Sequence, residues 1–192
     1  MKKKILELLQ SYKQYNKLDD LENSLIELNC KNIGCGSSRV VYNIAPNKVA
    51  KIALDLIGTI QNKTEYNINQ KYYFDLLPKI YNIFNNGKVI IVEYVKQASY
   101  SNFKKTMGIS FNKFIDYLWS INNINNNYVF LEYFYNNYSK VLSRQIISFI
   151  DFIKKNDIPT IELSEISQWG YSNNSIKLID YGATNYILNK YY

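Results

Sequence analysis

Histidine is absent from the whole chain of 192 residues. That excludes a histidine general base, Ser-His-Asp and Cys-His triads, and any zinc site built on imidazole. Cysteine is nearly as scarce. Cys30 and Cys35 are the full complement, too few for a zinc site of their own or for a disulfide framework. Arginine occurs twice, at Arg39 and Arg144, so the formal charge of +7 rests on scattered lysines. Nucleic-acid binders gather such charge into a stripe that displaces counterions from phosphate. No stripe is visible here, and nucleic acid is not an expected partner. No apolar run approaches the roughly 20 residues that a membrane crossing needs, so no membrane span is expected. Met1-Lys2-Lys3-Lys4 opens like a secretory signal, but Glu7 and Gln10 interrupt what would be its apolar stretch, and no small-residue cleavage site follows. The expected setting is intracellular. The sequence shows no internal repeat.

What is present points to a folded domain. Hydrophobic residues make up 47% and charged residues 20%, a globular balance, and the length suits one domain or one domain with two lobes. Tyrosine, asparagine, isoleucine and lysine dominate, all favoured by AT-rich codons. Runs such as Asn122-Asn123 and Asn125-Asn126-Asn127 therefore read as compositional bias, and the 19 tyrosines are not read as a base-stacking platform.

Along the chain, Ile5, Leu8, Leu9 and Tyr12 recur at helical spacing and predict an amphipathic helix over residues 3–15. Leu21, Leu25, Ile26 and Leu28 predict a second over 19–29, with Asp19 and Asp20 near its start. The pattern then turns to strands. Val40–Ile44 is β-branched and aromatic, Ala45-Pro46-Asn47 makes a turn, and Val49–Leu54 returns as the partner. A helix over 59–73 follows, through Ile60, Glu65, Ile68 and Tyr72, ending by Leu76-Leu77-Pro78. Lys79–Phe84 and Lys88–Tyr94 form a hairpin around Asn85-Asn86-Gly87. Beyond Tyr94 helices are expected over 110–124, with Ser110 as N-cap and Phe111, Phe114, Ile115, Leu118 and Trp119 on one side, and over 139–155, with Val141, Leu142, Ile146, Phe149, Ile150 and Ile153 together. Pro159 begins a loop to Trp169-Gly170, and a short hairpin around Asn173-Asn174 delivers Asp180. The expected class is α+β. It divides into a helical extension over 1–30, an antiparallel sheet with one helix over 31–95, and a mostly helical part over 96–192.

Three widely separated features belong to one chemistry. Ile33-Gly34-Cys35-Gly36-Ser37-Ser38-Arg39-Val40-Val41-Tyr42 is a glycine-rich loop running into a strand. Backbone N–H groups at such a loop can approach phosphate oxygens without side-chain obstruction, and Ser37 and Ser38 can add hydrogen bonds. Cys35 sits within it, where its small size matters more than its thiol. Lys51 interrupts the apolar strand Val49-Ala50-Lys51-Ile52-Ala53, where a buried ammonium requires a partner, and Glu65 on the next helix is the natural one. Ile176–Ile179 is an apolar strand ending at Asp180-Tyr181-Gly182, an acidic residue at a turn.

In that order these pieces resemble the protein kinase-like superfamily, in particular its compact phage and bacterial members. The resemblance is carried by Gly34, Gly36, Arg39-Val40-Val41-Tyr42, Lys51, Glu65, Glu93-Tyr94-Val95, Gln168-Trp169-Gly170 and Asp180-Tyr181-Gly182, across roughly residues 32–185. It implies ATP and Mg²⁺ as cofactors. Lys51 would hold the α/β-phosphates, Glu65 would orient Lys51, backbone groups near Glu93 and Val95 would receive adenine, and Asp180 with Gln168 would bind magnesium. It also implies a phage-encoded protein in a bacterial host as one setting. The departures are marked. Arg39 stands where a protein kinase has its third loop glycine. Gln168 takes the place of the metal-binding asparagine, and Leu163 falls where the catalytic aspartate would, leaving Glu162 or Glu165 as a displaced base or as solvated loop carboxylates. The sequence ends ten residues beyond Gly182, so peptide docking in the family's usual way is not expected. Three functions stay open: a reduced kinase moving the γ-phosphoryl of ATP to an unknown acceptor, a pseudokinase acting as a binding module, and a basic or virion-associated adaptor. The helices of residues 1–30 would offer a surface to a protein partner.

Overall fold

A computed structural model describes residues 3–72, 75–123, 132, 136 and 140–192. The chain divides into two compact units, one ending at Val95 and one beginning at Lys96. Both combine helices with antiparallel strands, the α+β class expected.

In the first unit, helices α1 (Lys3–Ser11) and α2 (Leu18–Glu27) precede strands β1 (Lys31–Cys35), β2 (Arg39–Ala45) and β3 (Lys48–Ala53). Helix α3 (Leu56–Lys71) and the hairpin β4 (Ile80–Phe84) and β5 (Val89–Glu93) follow. The strands form one antiparallel sheet in the order β1-β2-β3-β5-β4. Strand alternation sorts its side chains into two faces. Val40, Tyr42, Ile44, Ala50, Ile52, Val89 and Ile91 form one buried cluster with Ile5, Leu9, Tyr12, Leu21 and Leu25 of the first two helices. Val49, Ile90 and Val92 lie on the other face, with Val41, Tyr66 and Tyr94 packed against them.

The helices of residues 1–30 thus share a core with the sheet. Helix α1 ends at Ser11, four residues earlier than its periodicity predicts, because Tyr12 turns inward and donates its hydroxyl to the Ala53 carbonyl at 3.2 Å. Burial, then the charges of Tyr15 and Glu22, pushes the Tyr12 phenol up to about 12. Ile26, expected on the apolar side of α2, is 59% exposed. Helix α3 starts earlier than expected. Asp55 caps it by accepting the Gly58 N–H at 2.8 Å, a signal that apolar spacing does not register. Gly58 allows α3 to press against the turn between β1 and β2, since a Cβ there would run into the Ser38 carbonyl.

The second unit contains β6 (Lys96–Gln97), α4 (Tyr100–Met107), α5 (Phe111–Asn123), α6 (Lys140–Lys155), α7 (Thr160–Leu163), β7 (Trp169–Ser172), β8 (Ser175–Leu178) and α8 (Asn185–Tyr191). Helix α4, not anticipated individually, opens with a capping box between Ser99 and Asn102 and closes at Gly108, where φ is +67°. Trp169 is fully buried, its ring 5.5 Å from Phe103, 5.6 Å from Phe114 and 5.3 Å from Phe149. Its indole N–H donates to the Leu163 carbonyl at 3.0 Å. Trp119, expected inside, is 42% exposed. The side chains of Val141, Leu142 and Ile146 lie outside the described residues. The segment after Pro159, expected as a loop, contains the single turn of α7. Both asparagine hairpins form as predicted: Asn85, Asn86, Asn173 and Asn174 all hold φ between 50° and 58°, the left-handed region that asparagine tolerates. Among the described residues no helix is long and apolar enough to cross a membrane.

Candidate functional site

The densest chemistry in the first unit lies where β2, β3 and α3 meet. Lys51 pairs across the sheet with Val41, and Arg39 lies two residues from Val41 along β2, so both cations project from the same face. Glu65 comes down from α3 on that side. The Lys51 ammonium donates to Glu65 Oε1 at 2.9 Å and to Oε2 at 2.7 Å. The Arg39 guanidinium donates to Oε1 at 2.6 Å. Arg39, Lys51 and Glu65 are 6%, 7% and 1% exposed, so this is an internal ion cluster and not a surface salt bridge.

Asn62, one helical turn before Glu65, completes the arrangement. Its amide oxygen accepts from Arg39 at 3.3 Å, and its amide nitrogen donates to the carbonyls of Gly87 at 2.9 Å and Lys51 at 3.4 Å. One fully buried side chain therefore ties α3 to β2, β3 and the β4–β5 turn. Gly87 fits that turn because its φ is +97° and a Cβ would sit 2.7 Å from Lys63 Cγ.

The glycine-rich stretch forms the end of β1 and the turn into β2. The Gly36 N–H donates to the Arg39 carbonyl at 2.8 Å, and the Ser38 carbonyl accepts from Leu54 N–H at 2.9 Å. Ser37 is exposed and Ser38 is buried. A Cβ at Gly34 would meet nothing within 4 Å, and one at Gly36 would make only an ordinary contact with the Arg39 oxygen at 3.8 Å. Neither has a positive φ. Gly34 borders a register shift in the β1–β2 pairing, where strand glycines are common, whereas neither packing nor a positive φ calls for glycine at Gly36. Glu93 ends β5, where its carboxylate accepts the Lys79 N–H at 3.0 Å, and Val95 is buried.

In the second unit, Gln168 immediately precedes β7 and Asp180 lies two residues beyond β8. The Gln168 carbonyl accepts the Ile179 N–H at 2.8 Å, which brings both residues to one end of the hairpin. Asp180 is half-buried. Glu162 is half-buried in α7, beside Leu163, which is fully buried, and Glu165 is exposed. Among the described residues no group of three or more histidine, cysteine, aspartate or glutamate side chains gathers as a metal cluster. Asp180 and Gln168 carry the oxygen donors, a carboxylate and a side-chain amide, that magnesium accepts.

Sequence reasoning missed two members of the cluster. Arg39 registered as a motif residue and as a misplaced glycine but not as a partner of Glu65, although its two-residue spacing from Val41 put it on the same strand face. Asn62 carried no signal, because its partners are carbonyls supplied by remote segments.

No protein-family model and no curated protein matches the chain. Among solved structures, the streptomycin–ATP–APH(2″)-IIa ternary complex aligns over 85% of this chain and 70% of its own, with 11% identity and a TM-score of 0.40. That superposition is too loose to bear on fold or chemistry, which rest on the chain's own geometry.

Proposed function

We propose that this protein is a protein kinase-like binder of ATP and Mg²⁺, with transfer of the γ-phosphoryl group to an acceptor as its chemistry. The observation that carries the reading is the buried Lys51–Glu65 pair, set on β3 and α3 behind a glycine-bearing turn. A lysine enclosed in a sheet is costly without a partner, and one held bidentately by a helix glutamate is oriented for use. Gly36 fits the same reading, since close approach of an outside group is a reason for glycine that its packing and φ do not supply. Lys51 would hold the α/β-phosphates and Glu65 would keep it aimed. Backbone groups near Glu93 and Val95 would receive the base, with Ser37 donating at the turn. In the second unit Asp180 and Gln168 would hold Mg²⁺.

One observation favours binding without transfer. Leu163, fully buried, stands five residues before Gln168, where a catalytic aspartate would be expected. The nearest alternative base is Glu162. A pseudokinase serving as an interaction module is therefore the second reading.

Thermal unfolding with ATP and MgCl₂ tests the first step. A ligand at about 100 times its Kd stabilises the native state by about 2.7 kcal/mol. A clear rise in Tm is expected for the native chain, lost in Lys51→Ala. Flat melting curves with ATP, GTP and ADP would end the nucleotide reading. Labelled phosphate transfer that disappears in Asp180→Ala and Glu162→Gln would identify an enzyme with Glu162 as its base; binding without transfer would identify the pseudokinase.

A further inference from the structure

The Glu65 carboxylate serves two cations at once, and they are not equivalent. Lys51 reaches both oxygens through a flexible stem and a compact ammonium with three donors. Arg39 reaches Oε1 through a planar guanidinium that stays protonated at any accessible pH and whose fork is already organised for carboxylate. Arg39 is also held at a second point, by the Asn62 oxygen. Asn62 and Glu65 are three residues apart on α3 and share one helix face, so Arg39 grips the helix at two places one turn apart.

We infer that Arg39 is a positioning residue for the Lys51–Glu65 pair, retaining Glu65 in place when Lys51 turns toward a nucleotide phosphate. The inference rests on the nucleotide reading above. An ammonium that swings toward phosphate gives up part of its hold on Glu65. A buried carboxylate that lost its only cation would be heavily penalised, and would either follow Lys51 or hold it back. With Arg39 at 2.6 Å the carboxylate keeps a cation throughout. The penalty for redirecting Lys51 falls accordingly, and α3 stays seated on the sheet. This gives the arginine at the glycine-turn exit a use that a third glycine could not have.

Calorimetric titration with ATP and MgCl₂ on the full chain and on Arg39→Met, Arg39→Lys, Glu65→Gln and the Arg39→Met/Glu65→Gln double variant tests it. Arg39→Met should bind about fivefold or more weakly, with Arg39→Lys recovering part of the loss. The double variant should bind no more weakly than Glu65→Gln alone, because the arginine acts through that carboxylate. If Arg39→Met melts lower without nucleotide yet binds ATP–Mg²⁺ as tightly as the native chain, Arg39 is a structural brace and the inference is wrong. Additive losses in the double variant overturn it too, by showing that Arg39 acts independently of Glu65. Should Arg39→Met not fold, Arg39→Lys decides alone, with about a twofold weakening expected and native affinity counting against the idea. A native chain that binds no nucleotide is a different failure, since it removes the reading on which the role depends.

Discussion

In the unit ending at Val95, the side chains shut away from water include Arg39, Lys51, Asn62 and Glu65. In the unit beginning at Lys96, comparable depth is filled by Phe103, Phe114, Phe149 and Trp169. Buried polar side chains there, among the described residues, are only Thr160 and Thr184. The first unit spends part of its interior on a polar network whose geometry is fixed by direction and charge. The second is filled by aromatic rings, several of them packed edge to face, and its candidate residues Asp180 and Glu162 lie at a hairpin end and on the short helix α7. The contrast teaches that the ion cluster of the first unit is part of its core, whereas the candidate residues Asp180 and Glu162 of the second are only half-buried.

The largest effects should separate the two interiors. Glu65→Ala leaves two buried cations around a lost carboxylate and is expected to lower unfolding free energy by about 3–5 kcal/mol in urea titration. Trp169→Ala should cost a similar amount by opening a cavity. Replacing Arg39, Lys51 and Glu65 together with apolar residues of matching size sharpens the comparison. That triple variant is expected to be close to native stability, because an ion cluster's desolvation cost leaves with its attraction. A triple variant as unstable as Glu65→Ala would mean that the network is needed for folding, and the proposed division between function and packing would break.

Asn62→Ala comes next. It removes three hydrogen bonds and takes its donor from the Gly87 carbonyl, with an expected loss of about 1–3 kcal/mol. Amide hydrogen exchange should quicken in α3 and in the Asn85–Gly87 turn while the Trp169 hairpin keeps its protection. Equal quickening around Trp169 would deny that Asn62 acts within the first unit.

The smallest effect is one of pH. The Tyr12 phenol lies at about 12 when folded against an ordinary 10, so folding favours its protonated form. That contribution is fully present below about pH 10 and is lost as pH rises toward about 12. Tyr12→Phe should flatten part of the alkaline decline. Tyr42 and Tyr81, also raised chiefly by burial, would leave a residual slope. An unchanged alkaline slope in Tyr12→Phe would show that Tyr12 ionises as freely in the folded chain as in the unfolded one.

Much of this architecture was legible beforehand, and the reasons are local. Strand alternation around Val40–Ile44 and Val49–Ala53, and turn chemistry at Asn85-Asn86-Gly87 and Asn173-Asn174, depend on neighbours in sequence. So does the expectation that a lysine between alanine and isoleucine requires a partner. Helix α3 was the hardest element to bound, because its buried face carries Thr59, Gln61, Asn62 and Glu65, and hydrophobic periodicity is blind to polar burial. Ile26 and Trp119 were misplaced for the opposite reason: apolar residues are read as inward wherever the helix period allows.

By itself the sequence determined the α+β class, both asparagine hairpins, the glycine turn and the need of Lys51 for a carboxylate. Each follows from backbone preferences or from the cost of burying a charge. Only the tertiary structure decided that Glu65 is shared with Arg39 and that Asn62 ties four segments together. It alone seated the first two helices on the sheet. Those choices depend on strand register and on remote carbonyls, which become neighbours only after the chain has closed on itself.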